Sequence, residues 1–416
     1  ALTAALYREG TVEEPVSVCP LGEIGESFTA VSAAFTVPAE GRYTFVLLLP
    51  PHTAVICDDF SMSPDNAVCG FKKNAVEVGK YVSPKVIRWP GGCFASFYNW
   101  RDGVGDYRPP MYSYFWGGYQ YNDIGTDELA TYAEAVGAES MICVNMFHPF
   151  KRFFDYVPPE SLQGDPNDKT LYAAQHGRDL PHFMDKEQGA REAAAWVEYC
   201  NGDETTEYGA KRQALGFDPF GIHLWYVGNE AYFFGGEYQP SAAAAARTDE
   251  LIAAMKSADP TIAVAIGLTW GDNYHEWAFD FMKSLKSDFE YVSYHDYIGI
   301  LPDATQGDNG MATCEILESN FMDGECYGLN FYRNDLYADG FDRIRICVDE
   351  WNYSWGKDSS NALLFSNALQ FHFLAKGKET YHIDRAEFFM PVNEGMIFVK
   401  GNICKTESTG ELFRLM

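Results

Sequence analysis

Two glutamates follow apolar runs in this chain: Glu230 in LWYVGNE (224–230) and Glu350 in IRICVDE (344–350). A carboxylate there either reaches water or is held for use. A facing pair has a specific chemistry in glycoside cleavage, where one protonates the leaving oxygen and the other attacks the anomeric carbon. Two glutamates divide those roles only where their surroundings push their pKa values apart. Other apolar runs also end in polar groups, Arg88, Asn145, His295 with Tyr297, and Asn393, and Asn229 stands directly before Glu230. One strand-end acid is usually incidental, whereas six coordinated strand ends point to a site.

The elements that must position these residues alternate. The expected strands are KVIRWPG (85–91), SMICVNM (140–146), HLWYVGN (223–229), AVAIGLTW (263–270), YVSYHDY (291–297), IRICVDEW (344–351) and EFFMPVN (387–393). Between them lie the amphipathic stretches TDELATYAEAVG, GAREAAAWVEYCNG, SAAAAARTDELIAAMKSADP, NYHEWAFDFMKSLKS and SSNALLFSNALQFHFLAK. Short apolar strands alternating with helices imply a parallel sheet with right-handed crossovers. At this length the α/β expectation is a (β/α)8 TIM barrel over 66–416, whose strand ends converge on one face. Residues 1–65 read as β structure, with strands in FTAVSAAFTVPAEGRYTFVLLLPP and AVICDDFSMSP, enough for part of a sandwich. Seven strands are visible and a barrel needs eight. The missing one should precede KVIRWPG, and the expectation is that the chain as given lacks its natural start. The aperiodic stretch 147–188, roughly forty residues long, follows a strand and so falls on the active face.

Composition narrows the partners. The 416 residues are 47% hydrophobic and 16% aromatic, with 26 Tyr and 9 Trp, a surplus that suits stacking on sugar rings. A net charge of −28 disfavours nucleic acid. The ten cysteines include no C-x-x-C pair, and several sit in apolar runs, which suits a reducing, cytoplasmic setting better than a disulfide framework. No apolar run reaches about 18 residues, so no membrane span is expected. The nine histidines show no H-x-x-x-H spacing, and the reading calls for no metal and no cofactor.

Six stretches together resemble glycoside hydrolase family 51, the α-L-arabinofuranosidases of the clan A retaining barrel glycosidases. They are RWPGGCFASFYNWRDGVG (88–105), IGTDELATYAEAVGAESMICVN (124–145), WVEYCNG (196–202), WYVGNE (225–230), VSYHDY (292–297) and VDEWNYSW (348–355). The resemblance implies that Glu230 is the general acid/base and Glu350 the nucleophile. It implies that Asn229 hydrogen-bonds the sugar 2-hydroxyl and that Arg88 contacts the nucleophile and helps keep it ionised. Tyr297 matches a tyrosine near the nucleophile, His295 a histidine near the acid/base, and Cys93 a position beside the furanose. Trp100 and Trp351 are read either as pocket walls or as core, and Asn145 either as a ligand or as a strand-end hydrogen bonder.

The family's first barrel strand carries a sugar-binding glutamate. Only Glu13, Glu14, Glu23 and Glu26 are early enough here, and none follows a convincing strand. The chain also stops where the family's C-terminal β-sandwich would begin. The 1–65 segment resembles a carbohydrate-binding-type insertion. The implied function is release of α-L-arabinofuranosyl groups from arabinan, arabinoxylan or their oligosaccharides. A β-xylosidase or endo-glucanase on the same barrel and a catalytically silent sugar-binding barrel are the alternatives, and homo-oligomerisation is left open.

Overall fold

The structure is a computed structural model that describes the chain outside residues 1, 12, 28, 58–59, 97, 107, 109–110, 113–118, 147–185, 232, 235–236, 239, 268–274, 299–337, 339 and 354–360. It divides into two compact units, one of residues 1–62 with 104–109, the other of 63–103 with 110–416.

The first unit is a three-stranded antiparallel sheet. Its central strand β1 (Leu2–Arg8) pairs on one side with β2 (Ser17–Gly22) and on the other with β3 (Tyr43–Leu48). β1 is the strand that the sequence pattern hid, and it is the one with buried alternate positions. AVICDDFSMSP, expected as a strand, forms none among its described residues, and Ile56 within it is 82% exposed. Alternation alone does not make a strand without a neighbour to pair with.

The second unit is a nearly closed barrel. Its strands are β4 (Val86–Trp89), β5 (Glu139–Val144), β6 (Leu224–Val227), β7 (Ala263–Ile266), β8 (Tyr291–Ile298), β9 (Arg345–Tyr353) and β10 (Ile383–Phe388). They are hydrogen-bonded in the order β10-β9-β8-β7-β6-β5-β4, every neighbouring pair parallel. Between β10 and β4 no ladder is formed, and among the described residues no part of 1–65 enters this sheet.

The described helices include α1 (Lys73–Val82), α2 (Thr126–Val136), α3 (Lys186–Asn201), α4 (Glu207–Ala214), α5 (Ser241–Ala258), α6 (His275–Ser284), α7 (Asn361–Thr380) and α8 (Ser408–Leu415), of which the pattern predicts α2, α3, α5, α6 and α7. The 147–188 stretch lies outside the described residues up to α3. The last strand is a correction. It runs 383–388 rather than 387–393, because an irregularity at Asp384 breaks its alternation and its first half is charged. Asn393 is therefore no strand end. It sits exposed at φ +60°, accepting a hydrogen bond from the Val399 amide in the turn before β11 (Ile397–Lys400).

Inside the barrel, Met141, Cys143, Leu224, Tyr226, Ala263 and Ala265 form the buried core, with Val86 and Tyr291 against it. Ala265 is the ladder partner of Tyr226, and its small side chain leaves space for that ring. Outside, Trp196 of α3 lies parallel to Trp100 at 6.1 Å, and Trp351 packs edge-on against Phe371 and Phe388 and parallel to Phe413. Trp100 and Trp351 are thus buried in the core, 3% and 0% exposed.

Candidate active site

One irregularity in β9 builds half of the site. Against β8, Cys347 faces Ser293 and Glu350 faces His295; against β10, Val348 faces Ala386 and Trp351 faces Phe388. In both ladders β9 spends one more residue than its neighbour, which is a β-bulge at Asp349–Glu350. In a regular strand these consecutive residues would point to opposite faces. With the bulge both carboxylates reach the inside, 1% and 5% exposed, while Trp351 returns to the helix layer.

Arg88, at the end of β4, meets them. Its Nη1 donates to Glu350 Oε1 at 3.0 Å and to the Asp349 backbone oxygen at 2.9 Å. Its Nε lies 3.3 Å from Asp349 Oδ2 and 3.1 Å from Cys143 Sγ, and its Nη2 donates to Asn229 Oδ1 at 2.6 Å. The guanidinium lies over the Tyr226 ring, 4.9 Å from its centroid. Burial opposes the charge on Arg88, and Cys143, Asp349 and Glu350 outweigh it, holding its pKa well above the ordinary value. Asp349 is fixed from its other side by Ser293 Oγ at 2.6 Å, which in turn accepts from Tyr226 Oη at 2.7 Å.

Glu230 is placed by a turn. β6 ends at Val227; Gly228 adopts φ +82°, where a Cβ would fall 2.1 Å from Met146 Sδ, and Glu230 itself sits at φ +46°. A non-glycine residue in the left-handed region costs of order 1–3 kcal/mol, and such strain clusters at functional sites. His295 Nδ1 is 2.9 Å from Glu230 Oε1 and 3.4 Å from Glu350 Oε2. One oxygen of each glutamate and one ring nitrogen of His295 lie within 4.8 Å of one another. The two carboxyl groups thus approach one another across the site, as a glycosidase pair must. The same trio is the group among the described residues whose donors could also hold a metal ion.

The electrostatics of the Glu230 side turn on His295. Burial raises the Glu230 pKa, but the His295 hydrogen bond and charge, then Arg88, outweigh it and leave the carboxyl below its usual range. Burial lowers His295, and Glu350, Glu230 and Asp349 overcome it, raising the imidazole to about 9. The pair therefore shares a proton along the Nδ1–Oε1 contact, with the charge on the ring at rest.

Cys93, in the 3-10 turn Gly92–Ser96, puts Sγ 3.8 Å from Glu230 Oε2 and 3.9 Å from Asn229 Nδ2. Burial, then Glu230 and Glu350, push its thiol up, so it stays a neutral S–H donor. Gly92 lets this turn approach: at φ +59°, a Cβ would lie 3.0 Å from Phe389 Cε2 and 3.6 Å from Glu350 Oε1.

Of the residues singled out by sequence, Arg88, Cys93, Asn229, Glu230, His295 and Glu350 converge. Asn145 is buried and its Nδ2 reaches the Tyr98 carbonyl at 3.4 Å. The Tyr297 side chain lies outside the described residues; its backbone continues β8 opposite Asn352. Asp349, Ser293, Tyr226 and Glu387 were missed. Asp349 carried a signal, an acid beside Glu350, but alternation assigns it to the other face.

A family model described as "Alpha-L-arabinofuranosidase 1 domain" matches residues 79–299, a span that includes Arg88 to Tyr297 and ends before Glu350. A "Probable alpha-L-arabinofuranosidase C" of Aspergillus terreus is 27% identical, over 68% of this chain and 50% of that protein. An "Intracellular exo-alpha-(1->5)-L-arabinofuranosidase" of Acetivibrio thermocellus is 24% identical, over 72% of this chain and 52% of that protein. The chain spans about half the length of these curated relatives. The solved structure of an α-L-arabinofuranosidase from Thermotoga maritima, an arabinose complex, superposes with TM-score 0.64 at 24% identity, over 86% of this chain and 66% of that one. A GH51 arabinofuranosidase from Xanthomonas axonopodis pv. citri gives 0.63 at 23%, over 84% and 68%. These two likenesses establish the fold, a barrel of parallel strands wrapped in helices.

Proposed function

The chain belongs to the family of the alpha-L-arabinofuranosidase 1 domain, and from that premise we propose that it is a retaining glycoside hydrolase removing α-L-arabinofuranosyl groups from arabinose-containing oligo- or polysaccharides. The observation that carries the reading is the pair Glu230 and Glu350, close enough for double displacement and held by different partners.

Glu350, paired with Arg88, is the nucleophile. It attacks the anomeric carbon as the bond from that carbon to the leaving oxygen breaks, and the proton held between His295 and Glu230 passes from the Glu230 carboxyl to that oxygen. A low-lying carboxyl would be a poor acid alone; the histidine at 2.9 Å is its proton store. In the second step Glu230 takes a proton from water, the hydroxyl adds to the anomeric carbon, and the Glu350 ester bond breaks. Arg88 fixes the orientation of Asn229 by donating to its Oδ1, which turns the amide NH2 toward Cys93 and the sugar. A donor there suits the sugar 2-hydroxyl, a contact that strengthens in the transition state.

No helix among the described residues is long and apolar enough to cross a membrane. Cys143, Cys200 and Cys347 are buried thiols outside any disulfide, which suits a reducing interior, and the proposal puts the protein inside the cell.

The test is a panel of aryl glycosides. Turnover of the α-L-arabinofuranoside far above the β-D-xyloside and β-D-glucoside is the expected result. Preference for either of the others changes the sugar and keeps the mechanism; no turnover of any by a protein that binds them points to the silent barrel.

A further inference from the structure

Glu387, at the end of β10, is the acid that the mechanism above leaves unused. It is buried, 8% exposed, and among the described residues neither of its carboxyl oxygens has a hydrogen-bond partner. Neither arginine nearby donates to it: Arg88 is spent on Glu350, Asp349, Asn229 and Cys143, while Arg385 gives Nε and Nη2 to Asp384 and points Nη1, without a hydrogen bond, toward Glu139 at 3.6 Å. Its ladder neighbours place it level with the bulge, since Ala386 faces Val348 and Phe388 faces Trp351. Asp349 Oδ2 likewise lacks a hydrogen-bond donor, although it lies 3.3 Å from Arg88 Nε.

The local charges do not balance if every acid is ionised. Asp349, Glu350, Glu230, Glu387 and Asp384 face three cations, Arg88, His295 and Arg385. A buried charge without a partner is expensive, and the least costly remedy is a proton on the acid that no cation touches. A protonated carboxyl also brings the one thing Asp349 lacks, an O–H donor.

We propose that Glu387 is a positioning residue of this site: a neutral carboxylic acid that steadies Asp349 from β10, and through Asp349 the Arg88–Glu350 pair. It rests on the glycosidase reading. The groups acting on Glu387 are Asp349 and Cys347 of β9, Arg88 of β4, and Arg385 and Asp384 of its own strand. Burial, then Asp349, pushes its carboxyl up to about 8 against the two arginines. Loss of its proton sets a second negative charge against Asp349 and loosens the grip on Arg88. The activity it supports is present below pH about 8 and falls above it.

Two measurements test this on the full chain. The first is the infrared carbonyl band of a protonated acid, followed with pH in wild type and Glu387→Gln. A band that persists at pH 7 in wild type, fades near 8 and is missing from the variant supports the proposal. Its absence from wild type at pH 7 overturns it, whether or not the variant folds and whether or not the enzyme takes arabinofuranosides. The second is the pH profile of hydrolysis. Glu387→Gln keeps an N–H donor and no titrating proton, so at pH 6 kcat stays within about threefold of wild type. Its alkaline fall moves up toward that of His295. Glu387→Ala loses about tenfold or more in kcat with KM little changed, the pattern of a lost transition-state arrangement. A Glu387→Gln profile that superimposes on wild type overturns the proposal, as does a folded Glu387→Gln as impaired as Glu387→Ala.

Discussion

The two walls of the barrel mouth are built on opposite principles. On the Glu350 side the carboxylate is deep, with a side chain 6% exposed, and it is locked by a guanidinium that also grips Asp349 and Asn229. On the Glu230 side the side chain is 20% exposed, its backbone is strained, and its neighbours are an imidazole and a thiol. In the proposed mechanism one wall fixes a charge and the other moves a proton. A nucleophile must be held in one place and one state, whereas an acid/base must change state twice in each turnover and meet water in between.

The comparison breaks most sharply at Glu350. Glu350→Ala is expected to cost more than about 10⁴-fold in kcat and to abolish the glycosyl-enzyme seen by mass spectrometry with a slow substrate. An active Glu350→Ala would remove the fixed-charge wall from the mechanism altogether. Glu230→Ala is expected to cost about 10²–10⁴-fold, mostly with poor leaving groups. With an activated aryl leaving group it should still form the intermediate, and added azide should restore turnover. Equal losses across leaving groups would count against a proton-moving wall.

A smaller effect sharpens the contrast. His295→Asn is expected to lower kcat about tenfold at pH 6, because the Glu230 proton store is gone. Beyond the fall assigned to Glu387 near pH 8, wild type should show a second fall as the imidazole loses its proton near 9. The variant should lose that limb, and a profile unchanged by the substitution would show that the ring only packs. Smallest is Cys93→Ala, expected within about threefold at pH 6 and read as a modest change in the acid side of the kcat profile, since a thiol 3.8 Å away is a weak donor.

Much of this was legible in the sequence, for physical reasons. Strands that are buried on both faces write continuous apolar runs, and a polar residue at the end of each is conspicuous; that is how Arg88, Asn229, Glu230, His295 and Glu350 stand out. The helices are legible through their period. Legibility fails where backbone geometry departs from the regular period. The bulge puts Asp349 on the same side as Glu350, and no alternation rule anticipates it. In β10, the irregularity at Asp384 and the neighbouring Arg385 mask the strand, so its end was read at Asn393 and Glu387 passed for a strand beginning. Trp351 stands beside Glu350 in sequence and on the opposite side of the sheet in space. At the amino terminus, β1 is a central strand with little apolar bulk, and AVICDDF has the pattern without the partner.

The extra residue in β9 also sets which kinds of change this site can tolerate. Residues before Val348 keep one phase of in and out, and residues from Trp351 onward keep the other. Substitution at Asp349 alters one side chain and leaves that phase intact. Deleting a single residue between Val348 and Trp351 would shift it, turning Trp351 and its stack on Phe413 toward the barrel and the next polar residue toward the helices. An insertion does the same in reverse. Drift in amino-acid identity can therefore tune the chemistry here, while drift in chain length across these four positions scrambles the layer that supports it.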